Sequence, residues 1–264
     1  MSFLYPLCSS SKGNCTYIGT KESGVLVDAG VGIRNFKAHL ALIGVEPAAI
    51  QGIFVTHEHS DHVKGLARIQ KELGVPVYSS AGTLQALREK GILSVQTPVF
   101  RIGEKAVCVA DMEVKAFPTP HDCAESQGYV IETADHRKAA ICTDLGYVPE
   151  HVHACLQDCD LVLLESNYEP TLLQMGIYPP YLKRRIAGRH GHLSNDDCTD
   201  EICRLLDLGV ERFVLGHLSE ENNRPELAFE SVLAALTCKG AKLDKDFQLS
   251  VAPKTNTGKC FELA

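Results

Sequence analysis

A chain of 264 residues with 45% hydrophobic content can bury a substantial core, and it fits one large domain spanning residues 1–264 better than two ordinary ones. Its formal net charge of −7 argues against a protein that holds nucleic acid through a broadly basic surface. Eleven cysteines with no C-x-x-C pair argue against a cysteine-zinc knuckle and fit reduced thiols better than a disulfide scaffold.

The chain begins "MSFLYPLCSS", without a basic leader, and no apolar run approaches the ~18 residues that span a bilayer. A cytoplasmic setting away from membranes is therefore expected. In chain order, "GVLVDAG", "GIFVTH", "VPVYSS", "MEVKAFPTP", "GYVIET", "AAICTD", "DLVLLES" and "RFVLGH" read as strands. Interspersed with them, "FKAHLALIG", "VKGLARIQKELG", "AGTLQALREKG", "DDCTDEICRLLDLG" and "PELAFESVLAALTCKG" have helical apolar spacing and a glycine at or soon after the end. No linker or repeat divides the pattern, which predicts an α/β layered architecture of sheets covered by helices. Ligands of such folds gather beyond the carboxyl ends of strands.

The segment "GIFVTHEHSDHVKG" places His57, His59, Asp61 and His62 in the pattern H-x-H-x-D-H between a strand and a helix start. One turn can aim His57 and His59 at one metal while Asp61 and His62 face a second. Nitrogen and oxygen ligands of this kind suit Zn²⁺ or Mn²⁺. Further candidates stand at strand ends: His121, Asp144 and His217. They complete two sites, with His57, His59 and His121 around one divalent ion, Asp61, His62 and His217 around the other, and Asp144 bridging. Two dications, the two carboxylates and a hydroxide sum to one formal positive charge, which favours an anionic substrate such as a phosphodiester.

These residues resemble the metal set of the metallo-β-lactamase fold superfamily over nearly the whole chain. The resemblance implies an αββα sandwich with a two-metal cleft, and it gives Asp28 of "VLVDAG" the role of orienting metal ligands; an ordinary turn Asp before Gly30 is the alternative. "LCSSSKGNCTYI", "ESNYE" and a doubled "GHLS" are similar to the YycJ/WalJ branch, which implies a 5′→3′ DNA exonuclease linked to repair. "ESNYE" also fits a plain connection from strand to helix, and no chemistry is assigned to it.

Of the two GHLS histidines, His217 follows the apolar run "RFVL" and should be held as a metal ligand. His192 follows the polar loop "AGRHG" and precedes Ser194, a helix N-cap candidate. It is expected to contact phosphate or protonate the leaving oxygen, with His190 as competitor. Asp61 and His192 are thus the expected catalytic residues. In "SSSKGN", Ser9, Ser10, Ser11, Lys12 and Asn14 form either a cradle for a terminal 5′ phosphate or a solvated turn between strands. Lys183, Arg184, Arg185 and Arg189 form a local basic strip; Arg185 and Arg189 are expected to meet substrate, although the strip also fits a solvated helix face. His39, His136, His151 and His153 are expected at the surface. The favoured reading is metal-assisted hydrolysis of a nucleic acid, DNA foremost. The alternatives are a small or cyclic phosphodiesterase, a tRNA-processing ribonuclease and, further off, a glyoxalase-type thioesterase or a non-catalytic metal-binding module.

Overall fold

Two mixed sheets of seven strands stack in the computed structural model, which describes residues 1–263. The first contains β1 (Phe3–Ser10), β2 (Gly13–Gly19), β3 (Gly24–Val27), β4 (Ile50–Phe54), β5 (Val77–Ser79) and β6 (Val99–Arg101). The second contains β7 (Val107–Val109), β8 (Met112–Pro118), β9 (Gln127–Glu132), β10 (Lys138–Cys142), β11 (Leu161–Glu165), β12 (Arg212–Gly216) and β13 (Gln248–Val251). The last strand, β14 (Phe261–Glu262), returns to the edge of the first sheet beside β1. Both sheets share one topology. Each is antiparallel up to its fourth strand, β3 or β10, and parallel beyond it.

Leu4, Ile18, Val27 and Phe54 of the first sheet share an apolar layer with Val114, Tyr129, Ile141 and Leu163 of the second. The outer face of the first sheet buries Phe36 and Leu40 of α1 (Ile33–Ile43), Leu66 and Ile69 beyond the short α2 (Ser60–Val63) in α3 (Leu66–Leu73), and Leu84 of α4 (Ala81–Glu89). The outer face of the second is covered by α5 (Glu150–Leu156). Two further helices, α6 (Pro170–Met175) and α7 (Pro180–Ile186), pack around their own small cluster of Tyr168, Leu173 and Ile186. α8 (Asn195–Asp207) and α9 (Pro225–Cys238) complete the cover of the second sheet. The order helix, sheet, sheet, helix is the αββα sandwich of the metallo-β-lactamase fold, as the motifs implied. With both faces covered, β11 is buried throughout, and its sequence is a continuous apolar run rather than an alternation.

The structure departs from the sequence reading where elements are short. The single helix expected over "VKGLARIQKELG" breaks into α2 and α3 because the Gly65 N–H bonds the Ala29 carbonyl. Helices α5, α6 and α7 have six or seven residues each, too few turns for apolar periodicity to register.

Strand register brings the chemistry to one edge. In the second sheet Cys142 pairs with Leu164, and Glu165 with Gly216, so Asp144, Glu165 and His217 leave three parallel strands side by side. In the first sheet Val27 pairs with Phe54, which sets Asp28 beside Thr56 and His57.

Candidate metal centre

Three residues of this edge, Asp28, Asp144 and His217, adopt the left-handed backbone region, with φ of 61°, 61° and 55°. Side chains other than glycine avoid that region, and such strain persists only where the surroundings over-determine it. Asp28 and Asp144 end the corresponding strands of the two sheets, β3 and β10, with the same backbone turn. Gly30 lies so close to the metal loop that a Cβ there would overlap the Asp61 carbonyl, and Gly146 approaches the backbone of Gly188 and Arg189 in the same way.

Each buried histidine is held at Nδ1. His57 Nδ1 lies 3.0 Å from the Thr56 hydroxyl, which reaches Asp28. His62 Nδ1 donates to Asp28 Oδ2 at 2.7 Å, His121 Nδ1 to the Gly191 carbonyl at 2.9 Å and His217 Nδ1 to Glu165 Oε1 at 2.8 Å. Nε2 of each is left for the cleft, the arrangement by which outer partners fix tautomer and direction of a metal-binding imidazole.

The cleft-side atoms form two triads. In His57, His59 and His121, and again in Asp61, His62 and His217, one donor atom per residue lies within 4.8 Å of the others. Asp144 stands between them. Its Oδ2 is 3.3 Å from His62 Nε2, and its Oδ1 is 3.7 Å from His121 Nε2 and 3.6 Å from His217 Nε2. His57 Nε2 and Asp144 Oδ2 are buried without a hydrogen-bond partner among the described residues. Such orphans cost about 1–3 kcal/mol each, and coordination to a divalent cation satisfies both. The residues therefore fit the metal that the motifs implied.

Charge divides the centre unevenly. Burial, reinforced by neighbouring imidazoles, pulls His57 and His59 below the usual histidine range. Burial opposes charge on His62 and His217 too, but there it is outweighed. Asp144 and Asp28 raise His62 well above its ordinary value, and Asp144, Asp61 and Glu165 push His217 up to about 10. His217 and His62 in turn overcome burial to hold Asp61 and Asp144 below the usual carboxylate range, and His192 with His217 does the same for Glu165. A divalent cation held by Asp61, His62 and His217 would take the place of these protons.

Glu165 is the residue that the sequence reading missed, having left "ESNYE" without chemistry. It is fully buried, its Oε1 accepts both His192 Nδ1 and His217 Nδ1 at 2.8 Å, and its Oε2 accepts the Leu145 and Leu193 amides. A glutamate closing the four-residue apolar run Leu161–Leu164 was the available signal, since a buried carboxylate needs partners. Asp28 and Glu165 add two carboxylates to those first counted, turning a formal charge of one positive into one negative. With two dications and a hydroxide bound, that sum would give the cleft no net attraction for an anion.

The "SSSKGN" segment proves to be a tight hairpin turn between β1 and β2. Ser9 Oγ accepts the His217 N–H at 2.8 Å, Ser10 Oγ accepts the Lys12 N–H, and Asn14 Nδ2 lies 3.3 Å from Asp61 Oδ2 and 3.1 Å from His62 Nε2. Ser9 and Asn14, paired across the hairpin, are thus buried supports of the centre, and Ser10 is buried beside them; Ser11 and Lys12 are exposed, and Lys12 pairs with Glu220. Arg185 is bound in bidentate fashion to Asp122, and Arg189 stacks over Tyr147 at 4.3 Å. His192 borders the cleft with its side chain 18% exposed. His190 is exposed. His39 and His153 are buried rather than at the surface, the first bonding the Tyr5 hydroxyl and the second Glu201.

The model of the beta-lactamase superfamily domain matches residues 24–218, a span that contains both triads and Asp144. The chain belongs to the metallo-β-lactamase fold superfamily and is a metal-dependent hydrolase. Over 245 residues it is 35% identical to exodeoxyribonuclease YycJ of Bacillus anthracis, an alignment that covers 92% of each chain. It is 33% identical over 256 residues to exodeoxyribonuclease WalJ of Streptococcus pneumoniae, covering 95% of this chain and 94% of that one. The crystal structure of the metallo-beta-lactamase fold protein YhfI from Bacillus subtilis has the same fold, with a TM-score of 0.70 at 13% identity over 97% of this chain and 98% of that one.

Proposed function

We propose that this protein is a two-metal phosphodiesterase that degrades DNA from the 5′ end, in the cytoplasm and in the service of repair. The observation that carries the reading is the pair of triads opening on one cleft, with Asp144 between them and His192 anchored to the same Glu165 as His217. The exodeoxyribonuclease names of two relatives similar along nearly the whole chain support DNA as substrate. Eleven free cysteines suit a reducing compartment, and among the described residues no helix is long and apolar enough to cross a membrane. One apolar layer shared by both sheets supports a single domain over residues 1–264.

His57, His59 and His121 would hold one ion and Asp61, His62 and His217 the other, with Asp144 placed to serve either; Zn²⁺ and Mn²⁺ suit this donor set. When bound, such ions lower the pKa of water and neutralise phosphate oxygens. The chain does the positioning. Asp28, Thr56, Glu165 and the Gly191 carbonyl fix the imidazoles, so the ligands need no rearrangement as substrate arrives. Asp61, whose side chain is 21% exposed, accepts a proton from the attacking water. His192 donates Nδ1–H to Glu165, and Nε2 on the opposite edge of its ring gives a proton to the departing 3′ oxygen.

The acidic count of the centre favours a second reading, hydrolysis of a small phosphodiester that needs no long basic path. Incubating the metal-loaded protein with 5′- and 3′-labelled single- and double-stranded DNA, RNA and bis-p-nitrophenyl phosphate separates the two. Release of the 5′ label as short products from linear DNA, with circular DNA spared, is the expected result. Comparable cutting of circular DNA overturns the exonuclease reading, and hydrolysis of the small ester alone installs the second.

A further inference from the structure

Residues 170–195 contain Lys183, Arg184, Arg185 and Arg189 and not one Asp or Glu, in a chain whose net charge is −7. This basic island forms α6, α7 and the loop that ends at His192. The hairpin of helices is tied to the metal centre at several points. The Ile186 carbonyl accepts the His192 N–H at 2.8 Å, and Arg185 binds Asp122, the neighbour of His121.

The same hairpin carries an apolar surface that the fold does not use. Among the described residues eight large apolar side chains are exposed, and three of them fall within seven consecutive positions: Met175 at 81%, Ile177 at 89% and Tyr181 at 68%. Tyr181 stands in the first turn of α7, with Arg184 three residues on, along the same face. Clusters of this kind are uncommon on a surface without a partner. An unpaired nucleic-acid strand matches both properties at once, since its bases stack on aromatic and apolar groups and its phosphates seek cations. A duplex presents its bases only where its end has opened.

We infer that the α6–α7 hairpin is the docking surface for a single-stranded stretch of the substrate, with bases on Met175, Ile177 and Tyr181 and phosphates at Lys183 and Arg184. The inference rests on the nuclease reading above. It places the unpaired strand on the hairpin that ends at His192, so an open end is handled more readily than a closed duplex.

The test compares metal-loaded wild type with the triple variant Met175→Ser, Ile177→Ser, Tyr181→Ser. All three side chains are exposed, so the melting temperature should be unchanged. The expected result is a KM for single-stranded DNA raised between about fivefold and a hundredfold, the range of lost base stacking, with unaltered hydrolysis of bis-p-nitrophenyl phosphate. An oligonucleotide with abasic sites near its 5′ end should weaken wild type and leave the variant indifferent. Equal KM values for the two proteins on intact DNA overturn the docking surface alone. Cleavage of neither DNA nor RNA by wild type, with the small ester still hydrolysed, removes the nuclease reading and the docking surface together. Patch-dependent sedimentation with phosphatidylserine vesicles, with DNA kinetics unaffected, would reassign the patch to a membrane and also overturn the inference.

Discussion

His192 and His217 belong to the same tetrapeptide and donate Nδ1–H to the same oxygen, Glu165 Oε1, yet their surroundings differ. His217 follows a buried strand, is 1% exposed, and turns Nε2 toward Asp61 and Asp144 at 3.4 Å and 3.6 Å. His192 stands on a loop at the rim. His217→Ala should therefore lose one metal by elemental analysis, with partial recovery of activity in excess metal. His192→Ala should retain both metals while turnover falls by ~10²-fold to 10⁴-fold, the range for lost acid–base assistance. That loss should shrink for a p-nitrophenyl leaving group, which departs without a proton. Metal loss in the His192 variant and retention in the His217 variant would exchange the two roles. Glu165→Gln should damage both properties, because one neutral amide cannot accept two imidazole N–H groups and two backbone amides on charge-assisted terms. A variant impaired in turnover alone would show that Glu165 serves only His192.

At the level of elements, the centre depends on how closely the β1–β2 hairpin, the turn after β3 and the α2 loop approach one another. Gly30→Ala should push against the Asp61 carbonyl, displacing the second triad more than the first. The expected outcome is a fall in metal content and melting temperature together, and full occupancy in this variant would mean that the loop moves freely. Farther from the cleft, the turn between β9 and β10 anchors the N-terminus: Asp135 accepts Thr133 Oγ1 at 2.6 Å, and Ser2 Oγ and N–H at 2.8 and 3.1 Å. The Thr133 bond, then those from Ser2, lower its pKa from 3.8 to about 2. The folded state thus prefers the ionised form, and its stabilisation is complete above the ordinary value and drains away as pH falls through about 2. The stability gap between wild type and Asp135→Asn in urea should be wider at pH 6 than at pH 2.5; a gap independent of pH would detach Asp135 from that role. Legibility in the sequence followed the same division between local and distant. His57, His59, Asp61 and His62 announce themselves within six positions, and the strand ends at His121, Asp144 and His217 are marked by apolar runs. Glu165 was hidden because its partners lie 27 and 52 residues away, and a carboxylate's burial shows only once strands pair. His153 was misplaced for the same reason, its partner Glu201 being 48 residues distant. In the β1–β2 turn the residue types suggested contact with substrate, whereas the pleat turns Ser9 and Asn14 inward.

Across the whole molecule the proposed ions act as a clasp, since His57, His59, Asp61 and His62 come from the first sheet and His121, Asp144 and His217 from the second. Ligands bound only by the folded state stabilise it by about 4 kcal/mol at a thousandfold excess over Kd, which for a chain of this size corresponds to a shift on the order of ten degrees. Dialysis against chelator should lower the melting temperature on that scale, and a melting curve indifferent to chelation would deny that these residues hold metal. Long-range electrostatics sets a further condition. The chain is acidic, so if DNA is the substrate its phosphate contacts should be few and concentrated on residues 170–195, with Lys12, Lys64 and Lys254 beside the β1–β2 turn. Arg185 is committed to Asp122, and Lys12 shares Glu220 with Lys254; among the described residues Lys183, which donates to the Gln174 carbonyl, Arg184, and Arg189, which stacks over Tyr147, are the cations of residues 170–195 with no carboxylate partner. Each phosphate neutralised on a single strand contributes a slope of about −0.7 to log affinity against log salt concentration. Three or four contacts therefore predict a slope of roughly −2 to −3 for single-stranded DNA, measured as the salt dependence of 1/KM with metal saturating. Replacing Arg184 with Ala should make that slope shallower by about 0.7. A wild-type slope steeper than about −5 would require a broad basic face, which a chain of net charge −7 could offer only if the strand ran over surfaces other than the α6–α7 hairpin, and the assignment of that hairpin would fall.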